Sequence, residues 1–170
     1  MPSNFYMYFV AALIPMIVGA IYYHPKVAGS SWMKVNGFTE ESLKGGNMAV
    51  IFGVSYIFSV FIGFIVSGIT IHQSGVFAML APEVMESGSA IQNEFNDLMS
   101  RHGDRFRTFS HGVGHGIFTT VFFALPLIGI NALFERRGWK YILIHTGYWL
   151  ITLVLMSGLL CQTLTFPPLS

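Results

Sequence analysis

Long apolar runs alternate with short polar connections along this chain. Four runs, at 5–23, 48–71, 111–134 and 141–166, approach the roughly 20 residues a helix needs to cross a bilayer. The second carries no charged residue. None shows the period-two alternation of a membrane-barrel strand. The pattern predicts an all-α integral membrane protein. It forms a single domain over 1–170, a four-transmembrane-helix bundle. Pro15 and Pro126 lie near the middles of the first and third runs and predict kinks there. Pro167 and Pro168 end the fourth.

The connections differ in character. Loop 1, at 24–47, holds Lys26, Lys34 and Lys44 against Glu40 and Glu41. Thr39 before the two glutamates reads as a helix N-cap with acids in the first turn, and Gly45-Gly46 as the end of that short helix. Loop 2, at 73–110, is longer and has five acids against Arg101, Arg105 and Arg107. Within it Ile91, Phe95, Leu98 and Met99 share one helical face and polar residues fill the other. This predicts an amphipathic interfacial helix at about 90–101, between the second and third spans. As a plain connector it would lie on the membrane; as a lid it would cover a cavity. Loop 3 is the hairpin Glu135-Arg136-Arg137-Gly138-Trp139-Lys140.

Composition supports a lipid solvent. Hydrophobic residues make up 53% of the 170 residues, charged residues only 10%, and mean hydropathy is +0.60. A soluble domain carries roughly a quarter charged residues. A net charge of +1 argues against a nucleic-acid partner, which needs concentrated basic surface. The single Cys161 excludes an intrachain disulfide and reads as an inert buried thiol. The first run lacks a signal peptide's basic flank and reads as an uncleaved anchor. Loops 1 and 3 carry six of the nine lysines and arginines. The positive-inside rule therefore places them in the cytoplasm, with both termini and loop 2 outside. Arg101, Arg105 and Arg107 pull the other way.

Lipid tails give helices little hydrophobic reason to associate, so small residues must let backbones approach. Three ladders at four-residue spacing answer that need: Ala11, Pro15 and Gly19; Ser55, Ser59, Gly63 and Ser67; and Gly112, Gly116, Thr120 and Ala124. They predict close packing within or between subunits. The serines could instead line a narrow polar path, but no ionisable residue accompanies them in mid-span. The two hairpins share a kinked helix, a basic loop with a tryptophan (Trp32, Trp139) and a second helix, which hints at a parallel duplication.

The stretch GAIYYHPKVAGSSW, the Thr-Glu-Glu helix before span 2, and the second half HGVGHGIF…LP…ALFERRGWKYILIHTGYW resemble the membrane family catalogued as domain of unknown function 1761. The resemblance covers nearly the whole chain. It is most specific in the aromatic-Pro-Trp pattern of loop 1 and the block from Glu135 to Trp149. Family members commonly end span 1 in a Trp-Tyr-Ser-Pro-like sequence; here Tyr22-Tyr23-His24-Pro25 stands there. The resemblance implies a small four-span protein of the bacterial inner membrane and implies no reaction.

Candidate chemistry centres on FSHGVGHGIF. His111 and His115 are one helical turn apart and share a face, a spacing that can chelate a divalent metal. His72, at the end of span 2, falls at the same membrane edge and makes a possible third ligand. Glu83, Glu86 and Asp104 are the nearest candidate carboxylates. Gly112 stands where H-E-x-x-H needs its glutamate, which excludes a zinc protease of that type. Haem would want histidines facing each other deep in two spans, and His145 lies near the opposite end. Alternatively, Ser110 could cap span 3 and, with Arg101, Arg105 and Arg107, hold a lipid phosphate. At the cytoplasmic edge Glu135 is expected to pair with Arg136 or Lys140, and His145 to bond Tyr22, Tyr23 or a serine of span 2. No nucleophilic triad, P-loop or dinucleotide motif appears. The leading expectation is therefore a structural or accessory subunit or homo-oligomer, not an enzyme, without cofactor. The alternatives are a metal- or haem-binding protein using His72, His111 and His115, and a small transporter or lipid-binding protein.

Overall fold

The computed structural model describes residues 2–169, which are mostly helical, with no strand among them. Helix α1 (Met7–Ala11) and α2 (Ile14–Tyr22) form one near-continuous rod. A π-helical turn at Pro25–Gly29 leads into α3 (Ser30–Asn36), and this pair bends 57° away from α1–α2. Helix α4 (Glu40–Leu43) is one turn long. Helix α5 (Met48–Thr70) follows. The connection after it holds α6 (Gln73–Leu80), a 3-10 turn at Glu83–Met85 and α7 (Ala90–His102). Helices α8 (Phe109–Thr119) and α9 (Leu125–Phe134) are joined by a π-helical turn, Thr120–Ala124. Helix α10 (Trp139–Thr163) ends the bundle.

Three rods are long and apolar enough to cross a membrane: α5, α8–α9 and α10. At 1.5 Å per residue the 23-residue α5 is about 34 Å long. The bent pair α1–α2 and Pro25–Asn36 makes a fourth if counted as one span. Proline sets the breaks. Pro15 cannot donate to the carbonyl of Ala11, and α1 ends at Ala11. Pro126 cannot donate to the carbonyl of Phe122, and Phe122 sits inside the π turn. The expected kinks thus appear as interruptions just upstream of each proline.

Other boundaries also differ from the sequence expectation. Helix α8 starts at Phe109, because Thr108 and not Ser110 accepts from the His111 N–H, at 3.2 Å. Helix α10 stops at Thr163, before Pro167. Its last carbonyls are taken by the Arg107 guanidinium, and the tail turns extended to pair with Ser3 and Asn4. Loop 1 contains α3, which the mixed polarity of SSWMKVN hides; Gly37, at φ +71°, closes it in the left-handed region. Thr39 does cap α4, but its capping-box partner is Ser42. Helix α6 is likewise unannounced by any periodicity.

Side-chain contacts give the directions. Tyr8 meets Ser67, Tyr22 meets Ile144, and His72 meets His111. The rods therefore run up, down, up, down. Both termini and the α6–α7 connection share one end; α3, α4 and the Glu135–Lys140 hairpin share the other. Helix α10 is the spine, and its Thr152, Met156, Ser157, Leu160 and Cys161 have no accessible surface. Tyr8, Ala11, Ile71, Met156, Leu160 and Leu164 form the main buried cluster.

Small residues account for the close approaches. A Cβ on Gly116 would stand 2.6 Å from Val154 Cα, and one on Gly112 would stand 2.6 Å from Gly158 Cα and collide with the Ser157 carbonyl. Ser59, Gly63 and Ser67 are buried against the other rods, whereas Ser55 is exposed. A Cβ on Gly114, by contrast, meets nothing within 4 Å. Gly112→Ala or Gly116→Ala should therefore lower stability by about 1–3 kcal/mol, since backbone must move. Gly114→Ala should leave it unchanged or raise it by up to about 1 kcal/mol. Thermal unfolding of the three variants in one detergent checks the contrast.

Candidate metal centre

The HGVGHG segment divides its faces. Gly112 and Gly116 rest on α10, while His111 and His115 turn toward the end of α5. There α5 stops at Thr70, and Ile71 takes an extended conformation with ψ 97°. Ile71 is itself locked in the buried cluster. Its burial holds the following residue, His72, against the first turn of α8.

The three imidazoles converge. His111 Nε2 lies 3.1 Å from His72 Nε2 and 3.1 Å from His115 Nε2, and one ligand nitrogen from each residue lies within 4.8 Å of the others. A neutral imidazole offers at that atom either one N–H or one lone pair. His111 can complete one of the two bonds well, not both. A cation among the nitrogens would use all three lone pairs. For Zn–N bonds of about 2.0–2.1 Å, a tetrahedral ion separates its nitrogens by about 3.3 Å. The two 3.1 Å separations are close to that, and the third lies within 4.8 Å. Three protein ligands would leave one position of a tetrahedral ion open.

Sequence reasoning missed two supporting residues. Phe106 stacks on His111 with ring centroids 5.1 Å apart and meets His72 edge-on at 5.9 Å. It has φ 61°, the left-handed region that a bulky side chain avoids. The surroundings enforce it: Cys161 Sγ donates to the Phe106 carbonyl at 3.3 Å. Gln73 Nε2 donates to the carbonyls of Gly103 at 2.8 Å and Arg105 at 3.1 Å. Neither residue carries a motif signal: Phe106 reaches the histidines through its ring and Gln73 holds loop carbonyls, and only the fold defines the path of that loop. Glu83, Glu86 and Asp104 do not join the cluster. Among the described residues no carboxylate bonds an imidazole of the three.

The proposed anion set does not assemble. Arg101 pairs with Asp97 at 2.6 Å on α7. Arg107 turns inward, donates to the carbonyls of Cys161, at 2.8 Å, and Leu164, and lies 5.4 Å from the Phe166 ring centre. Desolvation lowers its pKa from the ordinary guanidinium value, against the raising effects of Cys161, Asp104 and Tyr8. Arg107 is thus a C-cap for α10. Arg105 is exposed. At the far end Glu135 faces Arg137 at 3.7 Å, not Arg136 or Lys140. His145 Nδ1 lies 3.4 Å from the Tyr23 hydroxyl, and its ring packs 4.3 Å from Tyr141. His145 takes no part in the three-histidine cluster.

Fold and site together define a helical protein with membrane-length rods and a three-histidine cluster at one end. A family model described as "Protein of unknown function (DUF1761)" matches residues 6–161, and the chain belongs to that family. No curated protein and no solved structure matches it.

Two arginines allow a direct check of the loop geometry. Arg107→Ala removes two charge-assisted bonds to partly buried carbonyls and should cost about 2–3 kcal/mol. Arg101→Ala breaks an ion pair whose side chains are 60% and 64% exposed and should cost less than about 0.5 kcal/mol. Thermal unfolding of both variants reads the difference.

Proposed function

We propose that this is a multi-pass membrane protein that binds one divalent transition-metal ion through His72, His111 and His115. In this reading α5, α8–α9 and α10 cross the bilayer, and α1–α2 with the bent Pro25–Asn36 pair makes the fourth span of a four-helix bundle. The distribution of polarity supports it. Ser59, Ser67, Thr70, Thr119, Thr120, Thr152 and Ser157 are buried, while Phe58, Phe61, Ile65, Phe118, Phe122 and Ile130 are exposed. Water would favour the reverse; lipid favours this.

The single observation that carries the metal reading is the convergence of the His72, His111 and His115 ring nitrogens, one from each within 4.8 Å of the others. Nitrogen donors suit Zn²⁺, Ni²⁺, Co²⁺ or Cu²⁺ better than Mg²⁺ or Ca²⁺. With no carboxylate placed as a base, the reading is of binding, not of hydrolysis. The positively charged end, with Lys26, Lys34, Lys44, Arg136, Arg137 and Lys140, faces the cytoplasm of a bacterial inner membrane. The termini and the histidines then face outward. Self-association has less to rest on, because most of the small-residue ladders are engaged within the chain.

Purified protein loaded with Zn²⁺ or Co²⁺ and freed of excess should retain one ion per chain by elemental analysis. His72→Ala, His111→Ala and His115→Ala should each weaken binding at least as much as the roughly 10–100-fold typical of losing an outer partner. His145→Ala should leave binding intact. Wild-type protein without stoichiometric metal would refute the reading.

A further inference from the structure

The turn that carries Phe106 is built for a different residue. The Asp104 carbonyl accepts from the Arg107 N–H at 3.2 Å, which places Phe106 third in a four-residue turn. Its φ of 61° is what glycine or asparagine supplies at that place. A bulky side chain there is strained. Burial does not ask for it either, since Phe106 is 60% exposed. The strained backbone is held from outside. Gln73 donates to the carbonyls of Gly103 and Arg105, Cys161 Sγ donates to that of Phe106, and Arg107 donates to that of Cys161. Neither the turn nor the core therefore accounts for the ring. Its aromatic partners are two of the three histidines. It stacks on His111 with 28° between the planes and meets His72 edge-on at 84°.

The histidines lack the usual means of fixing their rings. Ile71 and the glycines of α8 place their backbones, but rotation about χ2 of an imidazole is broad. In metal sites the other ring nitrogen ordinarily donates to a carboxylate, carbonyl or water, and that bond sets the ring plane. Among the described residues, these three imidazoles make side-chain hydrogen bonds only with one another, through Nε2. A flat ring packed offset on one imidazole and edge-on to a second restricts the same rotation. We infer that Phe106 is a positioning residue for the metal ion: its ring holds the His111 and His72 imidazoles in the planes that aim their Nε2 atoms at a common point. This rests on the metal reading above. The chain keeps an unfavourable residue in the turn because the ring replaces the missing hydrogen bonds.

The test uses the full chain in neutral maltoside micelles. Cobalt visible absorption and competition with a chelator report the site, and thermal unfolding of the metal-free protein reports the fold. Phe106→Gly relieves the turn and removes the ring. Without metal it should melt no lower than wild type, because glycine accepts the left-handed φ. It should nonetheless bind Co²⁺ at least about tenfold more weakly, the lower end of what loss of an outer partner costs a metal site, with an altered cobalt spectrum. Phe106→Asn, which also tolerates that φ, should behave alike. Phe106→Tyr keeps the ring at an exposed position and should retain wild-type affinity and spectrum. Wild-type affinity and spectrum in Phe106→Gly would overturn the inference and leave the metal site standing. So would a metal-free melting temperature well below wild type in both Phe106→Gly and Phe106→Asn, which would make the ring a part of the fold. Absence of cobalt binding by the wild-type chain would remove the metal reading and this inference with it.

Discussion

Gly112 and Gly116 bring the backbone of α8 onto α10 at Ser157–Gly158 and Leu153–Val154, and most of the molecule's geometry follows from that contact. Only hydrogen fits at those two positions, so the rotation of α8 about its axis is fixed along with its distance. A helix places residues i and i+4 on one face and i−1 and i+3 on the next. Seating Gly112 and Gly116 on α10 therefore points His111 and His115 at α5. Phe109 adds a stop at the same seam, since its ring packs over Gly158. The glycines beside the histidine pair set its orientation, and the 3.1 Å contact between the two Nε2 atoms lies on the face they leave free.

The rest of the interior uses polar groups for the same end. Tyr8 bonds Ser67 across rods at 3.0 Å, and the Tyr148 hydroxyl donates to the Pro15 carbonyl at 3.0 Å. Tyr56 donates to the Phe9 carbonyl at 3.0 Å. Each ties α1–α2 to another helix through a polar group. One of them uses a backbone carbonyl next to the α1–α2 break: Leu13 N–H turns to the Val10 carbonyl, and the Phe9 carbonyl is left for Tyr56. The irregularity of the rod and its attachment to α5 thus have a common origin.

Length and apolarity made the three long rods legible, and the small-residue ladders marked the faces that pack. His72, His111 and His115 were also legible as a set, because span ends bring the end of α5 and the start of α8 to one edge. Three kinds of feature were not. Helices α3 and α6 are short and carry no clear period, so tertiary contact decides them. The cap at Thr108 competed with Ser110, two residues away and chemically equivalent; only the backbone path distinguishes them. Arg107 looked like one of three membrane-edge arginines, yet it serves the carbonyls of a helix more than 50 residues later, a pairing that no local pattern encodes.

The two ends of the molecule show why three histidines converge at one and His145 stays apart at the other. His145 sits within α10, on a straight run of helix, and aromatic rings of Tyr23 and Tyr141 fill the space about it. Its neighbours satisfy shape and leave no second ligand within reach. His72 stands just beyond a helix end, where Ile71 has turned the backbone, and His111 lies in the first turn of another helix. Side chains at such ends are free of the ladder of packed neighbours that flanks a mid-helix residue. They can approach one another head-on while the buried Ile71 and the glycine seam keep their backbones in place. The convergence therefore depends on two rigid anchors, one on each strand of the α5–α8 crossing. A substitution at Ile71 or Gly112 should disperse the imidazoles as effectively as removing one of them.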